Sequence, residues 1–319
     1  MHKYIIRRLL LFVPSLLGVS LAIFLLLRII PGDVAAVILA GPSGEADYTQ
    51  EDLIELRETL GLDKPIHVQY VIWIWNMLRG DFGDSFVEQR PVRDMVMERF
   101  PVTIELAAFT FIIIVGIAVP VGIIAALKQD TMTDYVLRGI AILGLAAPSF
   151  WIGLMVILFL SIVFGWLPPI GFYHLWDDPA KSFQQLIFPS LALGFAINGL
   201  LLRMTRAQLL EVLREDYIRT ARAKGLGEQI VVLRHALRNA LIPVVTVGGF
   251  LVAGLLSGSV AIELIFNLPG MGRTLITAVN TRDFPVIEIF VLFVALLYLS
   301  INLLIDLSYA WLDPRIRYE

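Results

Sequence analysis

The chain is 319 residues long, 58% of them apolar and only 17% charged, and it contains no Cys. Soluble domains carry about 25% charged residues, so a water-soluble globule is excluded, and the missing thiols exclude disulfides, thiolate metal sites and Cys nucleophiles. The net charge of −3 points to neither nucleic acid nor a strongly charged partner.

A helix needs about 17–25 apolar residues to cross a bilayer. Runs of that kind occur six times, at 9–30, 103–127, 139–164, 186–202, 241–263 and 286–309. They predict an all-α integral membrane protein with six transmembrane helices. The first run follows Lys3, Arg7 and Arg8 and is longer than the roughly 7–15 apolar residues of a cleavable signal, so it is read as a retained span. Arg28, near its end, is placed to reach the headgroups.

Residues 31–102 form an insertion between the first two spans. Thr49 with Asp52 three residues on resembles a capping box, Leu53, Leu56 and Leu60 follow at helical spacing, and Gly61 can end the turn, which predicts a helix over about 50–60. Pro65 can open a second helix in which Ile66, Tyr70, Trp73, Ile74, Met77 and Leu78 share a face before Gly80. With Trp73 and Trp75 on it, this helix suits the membrane surface, and equally a small packed extracytoplasmic subdomain. The fourth run is the shortest and contains Pro189 and Asn198, which a span tolerates when neighbouring helices satisfy the freed backbone groups.

The stretch 203–240 is longer than a connection between two spans needs. Leu209, Leu210, Leu213, Tyr217 and Ala221 recur along one helical face, Gly225 and Gly227 interrupt it, and a second short piece follows with Ile230, Val231, Leu233, Ala236 and Leu237 apolar and Arg234, Arg238 and Asn239 polar. Such a basic amphipathic loop can rest on anionic lipid. Its helix–Gly–helix form also suits docking to a protein, because a helix resting on lipid gains nothing from a sharp turn. Composition leaves both open.

In the fifth run Gly249, Ala253, Ser257 and Ala261 recur every four residues, with Gly254 and Gly258 beside them. Small residues on one face allow close helix packing; the hydroxyls of Thr246 and Ser257 also suit the wall of a watery pathway, or bond their own backbone. Glu105, Glu263, Glu288 and Asp306 lie at span ends, which favours anchoring at the interface over a proton relay. Asn302 and Asp306, four apart, suit a local hydrogen-bonded pair.

Basic residues set the orientation. With the N-terminus in the cytoplasm, segments 1–8, 128–138, 203–240 and 310–319 carry 15 Lys and Arg, against Lys181, Arg273 and Arg282 in the short outer loops 165–185 and 264–285. Both termini are therefore expected inside. A secondary transporter would show an internal repeat and a charged midplane site, and an intramembrane serine protease needs a His base inside a span, whereas His2, His67, His174 and His235 all lie outside the six runs. No phosphate-binding G-x-x-x-x-G-K-[ST] is present, so any ATPase must be another chain.

The segments EDYIRTARAKGL (215–226) and LRHALRNALIPVV (233–245) resemble the cytoplasmic loop of permeases in ATP-binding-cassette importers of the dipeptide, oligopeptide and nickel group. So do GLDKPIHVQY, RGDFGDSF, IELIFNLPGMGR (262–273) and the YAWLDPRIRY end, all resembling the first, B-type permease subunit. The broader superfamily pattern, Glu-Ala-Ala, three residues, Gly, nine residues, Ile-x-Leu-Pro, is met only at Ala221, Gly225 and Leu237; Arg219 stands in place of the Glu, Thr220 in place of the first Ala, and His235 and Arg238 at the ends of the second block. The resemblance implies a single transmembrane domain over 1–319 with the type I importer fold in a bacterial inner membrane, no catalytic or metal site, and 203–240 as the loop that couples to an ATPase. Gly225 would be its turn, Ala221 a small contact, and Arg219 or Asp216 the docking charge, with Tyr217 in the same string. It also implies a related C-type permease, two ATPase subunits that hold the ATP and Mg, and an extracytoplasmic binding protein. Span 5, through Thr246, Gly249, Ala253 and Ser257, would line the pathway or pack. Short peptides are the expected cargo; nickel chelates, glutathione or another small solute are the alternative.

Overall fold

The structure, a computed structural model, describes residues 2–29, 35–36, 39, 48–59 and 61–312. Among them it is helical, the one β pairing being an isolated bridge between Asp84 and Pro91. Helix α1 spans His2–Ile29 and α2 Gln50–Thr59. The expected capping box opens α2: the Thr49 amide and hydroxyl donate to Asp52 Oδ2 at 2.8 and 2.7 Å, and the Asp52 amide donates back to Thr49 Oγ1 at 3.2 Å. The Thr49 amide holds the Asp52 carboxyl below its usual range. Leu60 lies outside the described residues, and Gly61 takes the left-handed turn at φ 66°. Helix α3, Ile66–Leu78, starts after Pro65 as expected.

The spans differ from the sequence reading in shape. Helix α4, Val92–Leu127, begins well before the apolar run at 103, because Val92, Met95 and Val96 find a core of their own with Met271 and Phe290. The run 139–164 is not one helix: α5, Met132–Ala146, and α6, Ser149–Phe164, meet at 107°. Pro148 has no N–H to continue the ladder and disfavours helix in the residue before it, and Ala147 is accordingly extended at φ −89°, ψ 127°. Helix α7, Pro179–Val212, is capped by Asp178, whose Oδ1 accepts from the Lys181 amide at 3.1 Å. It bends by 60° between Phe195 and Ile197, about two turns beyond Pro189, and runs ten residues past the apolar stretch. Then follow α8, Asp216–Ala223, a turn at Glu228–Ile230, a π-helical stretch Val231–Ala236, α9, Leu237–Ile265, α10, Met271–Thr281, and α11, Phe284–Leu312. Ile6–Ile29, Val92–Leu127, Glu228–Val252 and Phe284–Ile305 are each long and apolar enough to cross a bilayer, and there are six spans when α5–α6 and the bent α7 each count as one.

The chain forms two compact units, one from Met1–Ile5, Val102–Pro269 and Ser300–Glu319, the other from Ile6–Pro101 and Gly270–Leu299. In the first, α7 is packed against α5, α6 and α9, around a core that includes Leu106, Ile114, Leu193, Leu201, Leu255 and Ile262. The α5–α7 contact is backbone to backbone: a Cβ on Gly144 would meet the Phe195 carbonyl oxygen at 2.7 Å, and one on Gly199 would run into the Ala141 carbonyl. Small residues give membrane helices this approach.

Three of the four acidic residues expected as interface anchors turn into the protein instead. Glu105, Glu263 and Glu288 are all buried, because donors on other segments satisfy them better than lipid can. Glu105 accepts from the Leu175 amide at 3.1 Å and pairs with His174 Nδ1 at 2.7 Å; Glu263 accepts from Thr103 Oγ1 at 2.8 Å. The Asp306 side chain lies outside the described residues. In the second unit Arg28 folds inward instead of reaching the headgroups. Its guanidinium lies 3.4 Å from the Phe24 ring centroid, Nε donates to Gln69 Oε1 at 3.2 Å and Nη1 to Glu288 Oε1 at 2.9 Å. Phe24 also packs on Tyr70 and Trp73, and Ser20 bonds Tyr70 at 2.8 Å, so α3 is packed on α1 as part of a subdomain. Asp283 ties down the loop after α3 by accepting from Ser85 Oγ and from the Phe86 amide at 3.2 Å.

Gly199→Ala is expected to destabilise the protein by about 1–3 kcal/mol, because the intruded atom is a backbone carbonyl that cannot step aside. Thermal unfolding in detergent checks this, with exposed Gly116→Ala as the neutral comparison.

Candidate functional site

The long polar loop is a folded object with its own core. Ala126 from α4, Leu209 from α7, Ile218 and Ala221 from α8, and Val231, Ala236 and Ala240 beyond the glycines form one buried cluster. Two elements of the sequence reading shift register here. Tyr217 is exposed and Ile218 takes the inward place, since the turn at 213–215 separates α7 from α8 and breaks the face that joined Leu209 and Leu213 to Tyr217. Tyr217 Oη instead accepts from Asn239 Nδ2 at 2.8 Å. Beyond the glycines, Val231, Val232 and Ala236 are buried while Ile230 and Leu233 face outward, Leu233 at 62% exposure. The π-helical turn is the cause: its i→i+5 spacing carries the inward face from Val231 to Ala236, five residues on.

The turn between the two pieces follows from Gly225 at φ 76°. Its amide donates to Arg222 O at 2.9 Å and the Leu226 amide to Ala221 O at 3.4 Å, the paired carbonyl capping by which a left-handed glycine ends a helix. Arg222 then spans the turn to hold Glu228 through Nε at 3.1 Å and Nη2 at 2.6 Å. Ala221 is buried in the loop's own cluster. Arg219 is 74% exposed and pairs with Asp216, also exposed, at 3.2 Å; Thr220 Oγ1 donates to the Asp216 carbonyl at 2.9 Å. His235 and Leu237 are half-buried and Arg238 is exposed.

The loop therefore turns outward a surface of Leu226, Ile230 and Leu233 among Arg219, Lys224, Arg234 and Arg238. Beside it a hollow of about 600 Å³ opens between the end of α7 and the start of α8, lined by Leu210, Glu211, Arg214 and Asp216. The base is fixed by a residue that the sequence reading passed over. Asp134 of α5 is fully buried and takes Arg206 Nε at 2.8 Å and Nη2 at 2.7 Å, as well as the Asp130 amide at 3.0 Å. Asp134 and Arg206 are 72 positions apart, so no local pattern signals the pair.

On α9, Gly249 is a packing position: a Cβ there would stand 2.8 Å from Ile305 of α11. Thr246, Ala253 and Ser257 lie on the same helix, and their side chains are outside the described residues. Among the described residues no three His, Asp and Glu side chains converge to hold a metal ion.

Comparison with known proteins bears on the whole chain. A family model described as binding-protein-dependent transport system inner membrane component matches residues 118–318, and one described as the N-terminal part of a binding-protein-dependent transport system membrane component matches residues 1–107. A protein of Brucella abortus (strain 2308) named putative peptide transport system permease protein is 40% identical over 319 residues, covering 100% of both chains. The glutathione transport system permease protein of Salmonella typhi is 42% identical with the same full coverage.

The register of the loop is checked by two truncations. Ile218→Ala is expected to cost about 2–5 kcal/mol of stability and Leu233→Ala less than about 0.5 kcal/mol, read as unfolding midpoints of the purified protein.

Proposed function

The chain belongs to the family of binding-protein-dependent transport system inner membrane components, and on that premise we propose that it is one of two related permease subunits of an ATP-driven importer for short peptides, coupled to its ATPase by residues 203–240. It is a multi-pass inner-membrane transport subunit of such a system, which implies ATPase and binding-protein partners. The finer composition belongs to the proposal: a C-type permease, two ATPases that carry the ATP and Mg, and an extracytoplasmic binding protein facing the 31–102 insertion. So does the orientation with both termini in the cytoplasm, which rests on the Lys and Arg of the loops.

The observation that carries the coupling role is the loop's folded core. A segment that only rests on lipid buries its apolar face in the membrane. Here the apolar face is used inside the protein, and a second set of apolar side chains, Leu226, Ile230 and Leu233, remains outside on a rigid turn. A surface of that kind suits a protein groove, where a few well-packed apolar contacts supply most of the binding energy. The buried Asp134–Arg206 pair then joins the loop's base to α5, so that displacement of the loop reaches the membrane helices. The peptide assignment draws on the relatives' names, one a peptide permease and one a glutathione permease; nickel chelates and other small solutes remain the alternative cargo. Thr246, Gly249, Ala253 and Ser257 of α9 are proposed to serve the pathway or the packing around it.

Three measurements on the reconstituted complex test this. Leu233→Asp is expected to lower substrate-stimulated ATP hydrolysis about tenfold or more, with the permease still folded; unchanged coupling would favour the lipid-resting reading. Arg219→Glu is expected to weaken the ATPase association if Arg219 is a docking charge, and intact coupled hydrolysis would transfer that role away from it. Ser257→Trp is expected to depress uptake of a labelled dipeptide without preventing assembly, and normal uptake would remove α9 from the pathway.

A further inference from the structure

We infer that the unit formed by Ile6–Pro101 and Gly270–Leu299 contains a binding site for a small zwitterionic solute, a free amino acid or one end of a short peptide, built around Arg28, Glu288 and Asp81. These residues line a half-open cavity of about 270 Å³, at the lower edge of the roughly 300–1,000 Å³ of small-molecule sites. That volume suits an amino acid or a peptide terminus and is too small for an extended oligopeptide.

The chemistry of the wall selects the ligand class. Arg28 commits Nε to Gln69 and Nη1 to Glu288 and to the Phe24 carbonyl, while Nη2 has no hydrogen-bond partner among the described residues. A planar donor held from two sides with its third nitrogen open is preorganised for a carboxylate oxygen. Glu288 directs Oε1 at Arg28, and Asp81 uses Oδ1 to accept from the Gly83 amide at 3.0 Å, so its Oδ2 is open to a cation. The Trp73 indole N–H is a second donor to Glu288, and its ring face together with Phe284 and Pro285 supplies apolar wall between the charges.

The Arg28–Glu288 pair joins α1 to α11 without being sealed from solvent. Its side chains are 22% and 11% exposed and face open space. A simple anion is disfavoured by the two carboxylates and a simple cation by the guanidinium, whereas a zwitterion satisfies both. Binding follows from the cavity alone; that a solute visits it during uptake rests on the importer reading, and the two are separable by experiment.

The test is calorimetric titration of the assembled permease–ATPase complex in lipid nanodiscs, without binding protein or nucleotide, using alanyl-phenylalanine, its N-acetyl derivative and its amide. Saturable binding of the free dipeptide is expected, weakened at least about tenfold by blocking either terminus. Leu62→Trp, which fills the cavity from its wall, should abolish it. Asp81→Asn, at an exposed side chain that does not endanger folding, should erase the difference made by N-acetylation and keep the difference made by amidation. Absence of saturable binding, equal binding of the N-acetylated or the amidated peptide, or an unaltered N-acetyl effect in Asp81→Asn overturns the site. Dipeptide uptake without this binding would overturn the site and spare the importer reading; binding with no peptide uptake would do the reverse.

Discussion

Inside a bilayer a polar group has no water to turn to, so each one must find its partner in the protein. That requirement organises this molecule. Among the described residues, carboxylates near the ends of spans are drawn inward to donors on other segments, Glu105 to the 174–175 loop, Glu263 to Thr103, Glu288 to Arg28 and Asp134 to Arg206. Each pairing joins parts of the chain far apart in sequence, and the apolar helices between them supply bulk that would otherwise slide.

The same economy appears outside the spans. Asp283 gathers the loop after α3 by accepting from a hydroxyl and two amides, and the 203–240 loop carries its own buried cluster. A loop without a core would transmit little, because a flexible segment absorbs a push. One with Ile218 and Ala236 packed inside moves as a piece.

What was legible in the sequence is what depends on local chemistry. Runs of apolar residues gave the number of spans, Thr49 and Asp52 gave the start of α2, and Gly225 gave the turn, since each acts through neighbours a few positions away. Shape was less legible. Pro148 breaks its span, yet Pro189 and Pro243 stay inside helices, and only tertiary context separates these outcomes. The loop surface was misassigned by one position at Tyr217 and again at Leu233, because a short non-helical turn and a π-helical turn each reset the phase on which a periodicity reading relies. Arg28 was misread for another reason: a long basic side chain at a span end can turn either way, and its partner Glu288 lies 260 residues on.

The two glycines between α5 and α7 have a mechanical consequence. Gly144 meets the carbonyl of Phe195 and Gly199 that of Ala141, so the contacts fall on either side of the bend in α7. With no side chains between the backbones, nothing can repack to accommodate a change of angle. The bend is splinted, and the C-terminal half of α7, together with the loop it carries, is bound to take α5 with it as a single lever.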